Sequence, residues 1–409
     1  MIHYSQGLFQ RYVLLNMIHS FGPISRTRLA GISGFRLATV GEIAKTLIDE
    51  GLVVETGFAA AGAGRRPVML DMNREYICAV GIAISRTKVT TVLARLDGAI
   101  VREESCDREQ GCSNETLVGR IIKCIEALIQ AAGDMRIVGI GIGDPLYDPA
   151  NYQKGDSIAS NYGHYNDWVH LELRFVLEAR FAMPVQTLSA VTLPALVEHQ
   201  FGVAKGSDNF ICVELSNGIG SSLFLGGMAL SGAHGVAGEL GHTVVDIDEQ
   251  QLCYCGKPGC VELGASFPEL ARDIGQAIER GANTCLERGD LSVESMRRAL
   301  EAGDRLCRFY VDRAARRAGT AIANAINLLN PELIVLYGFM LELGDYYLER
   351  LRDAVRGQTL ALSGGYRILT SPALESKIPL GAAAEVFTKY LHSDEFRWIH
   401  SIVEEREVP

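Results

Sequence analysis

The stretch CYCGKPGC, Cys253 to Cys260, packs three cysteines and two glycines into eight positions, and it restricts what the chain can fold into more than any other segment does. Such crowding serves either a disulfide framework or a metal knuckle. Redox compartment separates the two, since disulfides persist in oxidising spaces whereas clustered thiols in reducing spaces more often hold a metal. The N-terminal MIHYSQGLFQRYVLL lacks the basic leader, apolar core and small-residue cleavage site of a secretory signal. No stretch is long and apolar enough to span a bilayer. The expectation is a cytoplasmic protein without membrane association, whose other cysteines, Cys78, Cys106, Cys112, Cys124, Cys212, Cys285 and Cys307, are reduced and partly buried thiols.

A C-x-C pair with a third cysteine five residues further on supplies three thiolates from one tight loop, which Gly256 and Gly259 let fold back. Tetrahedral zinc needs a fourth ligand. The nearest upstream histidine is His242 in AGELGHTVVD, eleven residues before Cys253 and separated from it by a strand-like TVVDI and a polar turn. Cys3His is a common structural zinc set, so His242, Cys253, Cys255 and Cys260 are expected to hold a structural zinc ion. The alternative is three free surface thiols beside a structurally satisfied His242.

A chain of 409 residues suggests two or three domains, and its net charge of −10 bears on partners only through its distribution. Residues 1–75 carry eight Lys or Arg against six acids, while the remainder carries 31 against 43. A mildly basic head on an acidic body fits a small polyanion-binding module joined to something with a different partner.

In the head, GLFQRYVLLNMIHSFG has helical apolar spacing at Phe9, Val13, Ile18 and Phe21 and ends at Gly22-Pro23. ISRTRLAGIS starts with Ser25 as an N-cap and stops near Gly31 to Gly34. RLATVGEIAKTLIDEGLV places Leu37, Val40, Ile43, Leu47 and Ile48 on one face, with Gly51 at its C-terminal end. Two short helices about a glycine-containing turn predict a helix-turn-helix. LVVETG and RRPVMLDM then alternate like two strands around FAAAGAGRR, a wing with Arg65 and Arg66 at its tip. Arg36, Ala38, Thr39, Glu42 and Lys45 are expected at base edges in a major groove, and the wing arginines on phosphates or in a minor groove. A helical module for protein contacts, its arginines merely solvated, is the competing reading.

From EYICAVGIAISRTKVTTVLARLDGAIVREES onward, strand-rich apolar runs alternate with helical stretches such as Leu117 to Ala132 and Ala314 to Leu329, an α/β body. GAHGVAGELGHTVVD followed by CYCGKPGCVE, with NGIG before and NPELIVLYG and PLGAAAEV after, resembles the ROK family of repressors, open reading frames and sugar kinases. The head ending in GRRP resembles its repressor branch, and the likeness covers nearly the whole chain. It implies a winged helix-turn-helix domain over residues 1–75. A two-lobed, actin-like and sugar-kinase-like body for effector binding and oligomerisation would follow over 76–390, carrying the zinc loop, with a helical tail over 391–409. By the same resemblance His242, Cys253, Cys255 and Cys260 match the family's zinc ligands, and Glu239, His242 and Glu262 match residues that contact sugar hydroxyls. Zinc would then brace the pocket without performing Lewis-acid chemistry.

The chain also departs from the family. Where ROK kinases open their body with D-x-G-G-T, this sequence has AISRT, so that Ala83, Ser85 and Arg86 stand for Asp, Gly and Gly. A backbone phosphate cradle needs those glycines. The family's NDAN, which carries the catalytic base, corresponds to SAVT at 189–192, and Ala190 accepts no proton. Phosphoryl transfer is left without its positioning or its base. Ser189 can replace one hydrogen bond to the ligand, but a buried sugar hydroxyl facing Ala190 would go unpaired, so the effector is expected to differ from a plain hexose. In the segment from GIGDP to HLELR, Asn161, Tyr162 and Trp168 are either a sugar-binding wall or surface loop residues.

These readings converge on a DNA-binding repressor of carbohydrate genes. It would be a dimer, or a dimer of dimers, on a palindromic double-stranded operator, controlled by a sugar or sugar-derivative effector in a catalytically dead body. The alternatives are a ROK sugar kinase that retains activity, and a zinc-stabilised regulator whose body binds a protein partner.

Overall fold

The computed structural model describes residues 6–58, 67–85, 87–108, 113–145 and 173–391. The wing arginines Arg65 and Arg66, Arg86, the segment with Asn161, Tyr162 and Trp168, and the tail beyond 391 lie outside the described residues.

The head comprises helix α1 (Gln6–Phe21), strand β1 (Ile24–Ser25), α2 (Arg26–Ser33), α3 (Leu37–Asp49), β2 (Val53–Phe58) and β3 (Val68–Met72). Its strands form one antiparallel sheet in the order β1-β3-β2. Local chemistry sets the boundaries. Ser25 Oγ accepts from the Arg28 N–H at 3.2 Å and so caps α2, and Gly34, at φ 74, ends that helix in the left-handed conformation. Val40, Ala44 and Leu47 of α3 are fully buried at the spacing one helical face requires. Leu37, placed on that face by its periodicity, is instead 54% exposed, because the first turn of α3 extends past the head's core.

The body consists of two lobes with one repeated plan. The first contains β4 (Ile77–Ile84), β5 (Lys88–Arg95), β6 (Ile100–Asp107), α4 (Asn114–Ala132), β7 (Arg136–Asp144), α5 (Leu173–Phe181), β8 (Val185–Ser189) and α6 (Leu193–Phe201). The second contains β9 (Phe210–Leu215), β10 (Ile219–Leu225), β11 (Met228–Leu230), α7 (Glu262–Ala265), α8 (Phe267–Glu279), α9 (Val293–Glu301), α10 (Arg305–Leu329), β12 (Leu333–Tyr337), α11 (Asp345–Gln358), β13 (Arg367–Thr370) and α12 (Ile378–Leu391). The sheet orders are β6-β5-β4-β7-β8 and β11-β10-β9-β12-β13. In each, three strands run as an antiparallel meander and two more join in parallel on the other side of the first. Thr243 to Ile247 forms no strand. It contributes only an isolated bridge, Val244 to Cys260, because it turns back around the cysteine loop.

Helix α12, the last described element, lies directly on the first sheet. A Cβ on Gly81 of β4 would sit 2.1 Å from the Pro379 carbonyl oxygen, and one on Gly141 of β7 would sit 2.0 Å from that of Ala382, so only glycine allows this approach. One continuous apolar cluster runs from Leu14, Ile18 and Leu47 in the head through Ile77 and Val92 to Leu380, Phe387 and Leu391. Asn16 of α1, itself buried, donates from Nδ2 to the Leu391 carbonyl at the C-terminus of α12. The head thus supplies a buried partner to a backbone carbonyl of the last described turn of the body.

Candidate functional site

The knuckle forms where the segment after His242 pairs with the segment ending at Cys260. Val245 N–H donates to the Gly259 carbonyl at 3.0 Å and Val261 N–H to that of Thr243 at 3.0 Å. Gly259, at φ 75, passes so close to the Asp246 carbonyl that a Cβ would lie 2.1 Å from it. This pairing gathers one ligand atom each from His242, Cys253, Cys255 and Cys260 within 4.8 Å of one another. Cys255 and Cys260 sulfurs are 3.6 Å apart, and Cys253 Sγ is 3.7 Å from His242 Nδ1. Zn–S bonds of about 2.3 Å in a tetrahedron place sulfurs about 3.8 Å apart, so the donor set has the dimensions of a closed Cys3His site.

Burial, reinforced by the neighbouring Cys255 and Cys253 sulfurs, pushes the Cys260 thiol up to about 12. Three thiolates gathered this closely would repel one another and would call for a cation among them. Burial, with Lys257 adding to it, lowers the imidazole of His242 from its ordinary value, which suits a neutral ligand. The other ring nitrogen, Nε2, lies 2.9 Å from the Tyr254 hydroxyl and 3.8 Å from a Glu239 carboxylate oxygen. Both can hold the ring in the tautomer that turns Nδ1 toward the sulfurs.

The expected ligand-contacting residues adjoin this knuckle. Glu262 opens α7 two residues after Cys260, and its Oε2 accepts from the Ile219 N–H at 3.0 Å. Burial raises its carboxyl to about 7; the Ile219 hydrogen bond opposes that shift, and Glu214 and Glu239 add repulsion. Burial likewise raises Glu239. Ser189 ends β8 in the other lobe, and its hydroxyl donates to the Gly235 carbonyl at 2.7 Å, tying the first lobe to the loop that leads to Glu239. Asp144, overlooked in the sequence, is Ser189's register partner at the end of β7 and only 4% exposed. Its signal was a single acid closing the apolar run IVGIGIGD. Carboxyl ends of parallel strands are where α/β folds bind ligands.

The two stretches expected to depart from the family pattern have definite surroundings. Ser85 N–H donates to the Lys88 carbonyl at 2.9 Å and its hydroxyl does so at 2.8 Å, which closes the β4–β5 turn on itself next to Ala83. Ala190 begins a 3-10 turn, 190–192, held by Thr192 Oγ1 to the Ser189 carbonyl at 2.7 Å and by Ser222 Oγ to the Val191 carbonyl.

On the head, Arg36, Leu37 and Ala38 are exposed at the start of α3, Thr39 is half-buried, and Glu42 and Lys45 are exposed one and two turns on. The cations divide into two sets. Arg11 forms a two-pronged pair with Glu50, Arg26 binds Glu55 at 2.9 Å, and Arg74 lies 3.7 Å from Asp71. Arg28, Arg36 and Lys45 are exposed and, among the described residues, form no ion pair. Among the described residues no helix is long and apolar enough to cross a membrane.

Comparison with known proteins matches residues 79–387 to the ROK family. A xylose repressor of Caldicellulosiruptor bescii is 28% identical over 381 residues, which span 91% of this chain and 94% of that protein. The crystal structure of a ROK family transcriptional regulator, a homologue of the E. coli MLC protein, superposes with a TM-score of 0.80 at 27% identity, covering 97% of this chain and 99% of that one. A ROK hexokinase from Thermus thermophilus superposes with a TM-score of 0.64 at 25% identity; it covers 99% of its own chain but 76% of this one.

Proposed function

The chain belongs to the ROK family, and from that premise we propose that it is a sugar-responsive, DNA-binding transcriptional repressor of genes for carbohydrate uptake or catabolism. The observation that carries the reading is coverage. The xylose repressor and the MLC homologue span 91% and 97% of this chain, whereas the hexokinase spans 76% of it.

The head, residues 1–75, is read as a winged helix-turn-helix. Helices α2 and α3 are read as the turn motif and the paired strands β2 and β3 as the base of the wing, to which Arg65 and Arg66 are assigned from the sequence. Arg36, Ala38, Thr39 and Lys45 face the duplex, with Leu37 beside them as an apolar contact for a thymine methyl. Two heads of a dimer engage the halves of a palindrome.

The body, residues 76–390, binds a sugar or sugar derivative through Glu239, His242, Glu262 and Ser189. A zinc ion held by His242, Cys253, Cys255 and Cys260 would neutralise the thiolates and fix the loop that presents His242 and Glu262; all four positions are filled by protein, so its part is structural. Phosphoryl transfer is not expected. The β4–β5 turn spends its hydrogen bonds internally, and Ala190 stands where a base would be needed.

A thermal-shift screen of the full chain with sugars, amino sugars, inositols and their phosphates tests the reading, coupled to DNA binding on sites recovered from genomic selection. A ligand that raises the melting temperature and weakens DNA binding supports it. DNA binding insensitive to every ligand that binds the body overturns it. The likeness to the hexokinase favours the second reading, a sugar kinase, and turnover in an ATP-coupled assay with the same sugars would establish that instead.

A further inference from the structure

Arg317, in the middle of α10, lies outside every motif discussed so far, yet it connects the parts of the proposed ligand and metal site. Its side chain is only 12% exposed. Its Nη2 bonds Asp246 and lies 3.2 Å from Glu249 Oε2, and both acids belong to the segment between His242 and Cys253. Glu249 in turn accepts from the N–H groups of Gln250 and Gln251 at 3.1 Å, so the pairing fixes that segment's turn as well as its charge. The Asp246 backbone is the strip against which Gly259 packs, one residue before Cys260.

The same guanidinium also covers α7. A Cβ on Gly264 would fall 2.2 Å from Arg317 Nη1 and 2.8 Å from Cζ, so the group lies against the helix that begins with Glu262. One rigid, planar cation on a 25-residue helix therefore touches both the connector between the metal ligands and the short helix that carries a ligand-contacting carboxylate. Lysine lacks the flat guanidinium face that lies against Gly264 while Nη2 reaches the two carboxylates.

We infer that Arg317 is a positioning residue that clamps the Thr243–Leu252 connector and α7 to α10, and thereby sets how firmly the Cys3His knuckle retains its metal. The metal part of this inference rests on the zinc reading above. Removal of outer-shell partners that orient metal ligands typically weakens metal affinity about 10–100-fold. Both clamped segments should loosen together when the guanidinium is removed.

The experiment uses the purified full chain and the substitutions Arg317→Ala, Arg317→Lys and, from the connector side, Asp246→Asn with Glu249→Gln. Arg313→Ala is the control, since Arg313 lies on the same helix but pairs with Asp273 of α8. Zinc transfer to a chromophoric chelator is followed in time, together with amide hydrogen exchange over residues 243–264. Expected are a roughly 10–100-fold faster release for Arg317→Ala and for the connector double variant, a clear acceleration for Arg317→Lys, and no change for Arg313→Ala. Exchange should rise in the connector and in α7 with α10 still protected. Release at the unsubstituted rate in Arg317→Ala, or equal acceleration by Arg313→Ala, overturns the inference. If the unsubstituted chain holds no metal, the zinc reading fails separately, and the exchange pattern alone decides whether Arg317 clamps the two segments.

Discussion

The division of the head's cations into paired and unpaired sets gives a quantitative prediction for DNA binding. Arg28, Arg36 and Lys45 are the exposed described cations of the head that form no ion pair, while Arg11 and Arg26 are held by Glu50 and Glu55. If each unpaired cation, at a base edge or on the backbone, neutralises about one phosphate charge and two heads bind, about six phosphates are neutralised, and the slope of log affinity against log salt is about −5. Affinity then falls about 10³-fold between about 50 and 200 mM salt. Replacing any one of the three with Ala removes two contacts per dimer and flattens the slope by about 2. Arg26→Ala serves as the contrast; it exchanges a pair at the surface for nothing, is expected to change stability by about 1 kcal/mol at most, and should leave the slope alone. The assay is fluorescence anisotropy of a labelled operator duplex across a salt series. Contacts from Arg65 and Arg66 would steepen the unsubstituted slope without altering the differences. Slopes unmoved by Arg28→Ala, Arg36→Ala and Lys45→Ala, or moved as much by Arg26→Ala, would show that this face of the head does not meet the duplex.

Three further outcomes are expected. Cys255→Ser and Cys260→Ser each break the Cys3His set, so zinc content measured by mass spectrometry should fall from one per chain to near zero with loss of ligand response; unchanged metal would refute the knuckle. Asn16→Leu strips the Leu391 carbonyl of its buried partner from the head, which should cost about 1–3 kcal/mol in denaturant unfolding; a loss well under that would mean that this carbonyl is satisfied without Asn16. His199 packs on Phe224 with ring centroids 4.2 Å apart, and burial holds its imidazole below the ordinary value. The unfolded chain takes up this proton first, so stability present above pH about 6.5 drains away as pH falls below it. His199→Phe should flatten that acid limb in thermal melts, and an unaltered limb would exclude His199 as its source.

Legibility from the sequence followed the range of the interactions. The head's helices were readable because their signals are local: Ser25 caps α2 three residues from its target, and Gly34 and Gly51 close α2 and α3 with positive φ. The His/Cys cluster was readable because its four residues fall between positions 242 and 260. Leu37 misled because helical period reports which residues share a face but not how far along the helix the core continues. TVVDI misled because β-branched residues also suit a short bridged return. Arg317 could not be seen at all. Its partners lie 71 and 68 residues upstream, and nothing in an arginine on a helix announces them. Nor could the repeated sheet order of the two lobes, a likeness of topology that leaves no repeated motif in the chain.

The composition of α1 makes sense only at the level of the whole molecule. Val13, Leu14, Leu15, Met17 and Ile18 are all buried, more of the circumference than one face of a surface helix needs. A helix apolar nearly all round is buried on more than one side: α1 contacts α2 and α3 in the head and α12 in the body. At its other end α12 meets the first turn of α6, where a Cβ on Gly381 would lie 2.4 Å from the Leu193 carbonyl, four residues after Ser189. Fourteen residues, about 21 Å of helix, thus run from beside the Ser189 turn to Asn16 in the head. Close-packed contacts of this kind do not deform gradually, so a ligand that shifts the Ser189 turn has a rigid element through which to move the head. A head joined by a flexible linker would need no apolar back on α1, and the sequence supplies one.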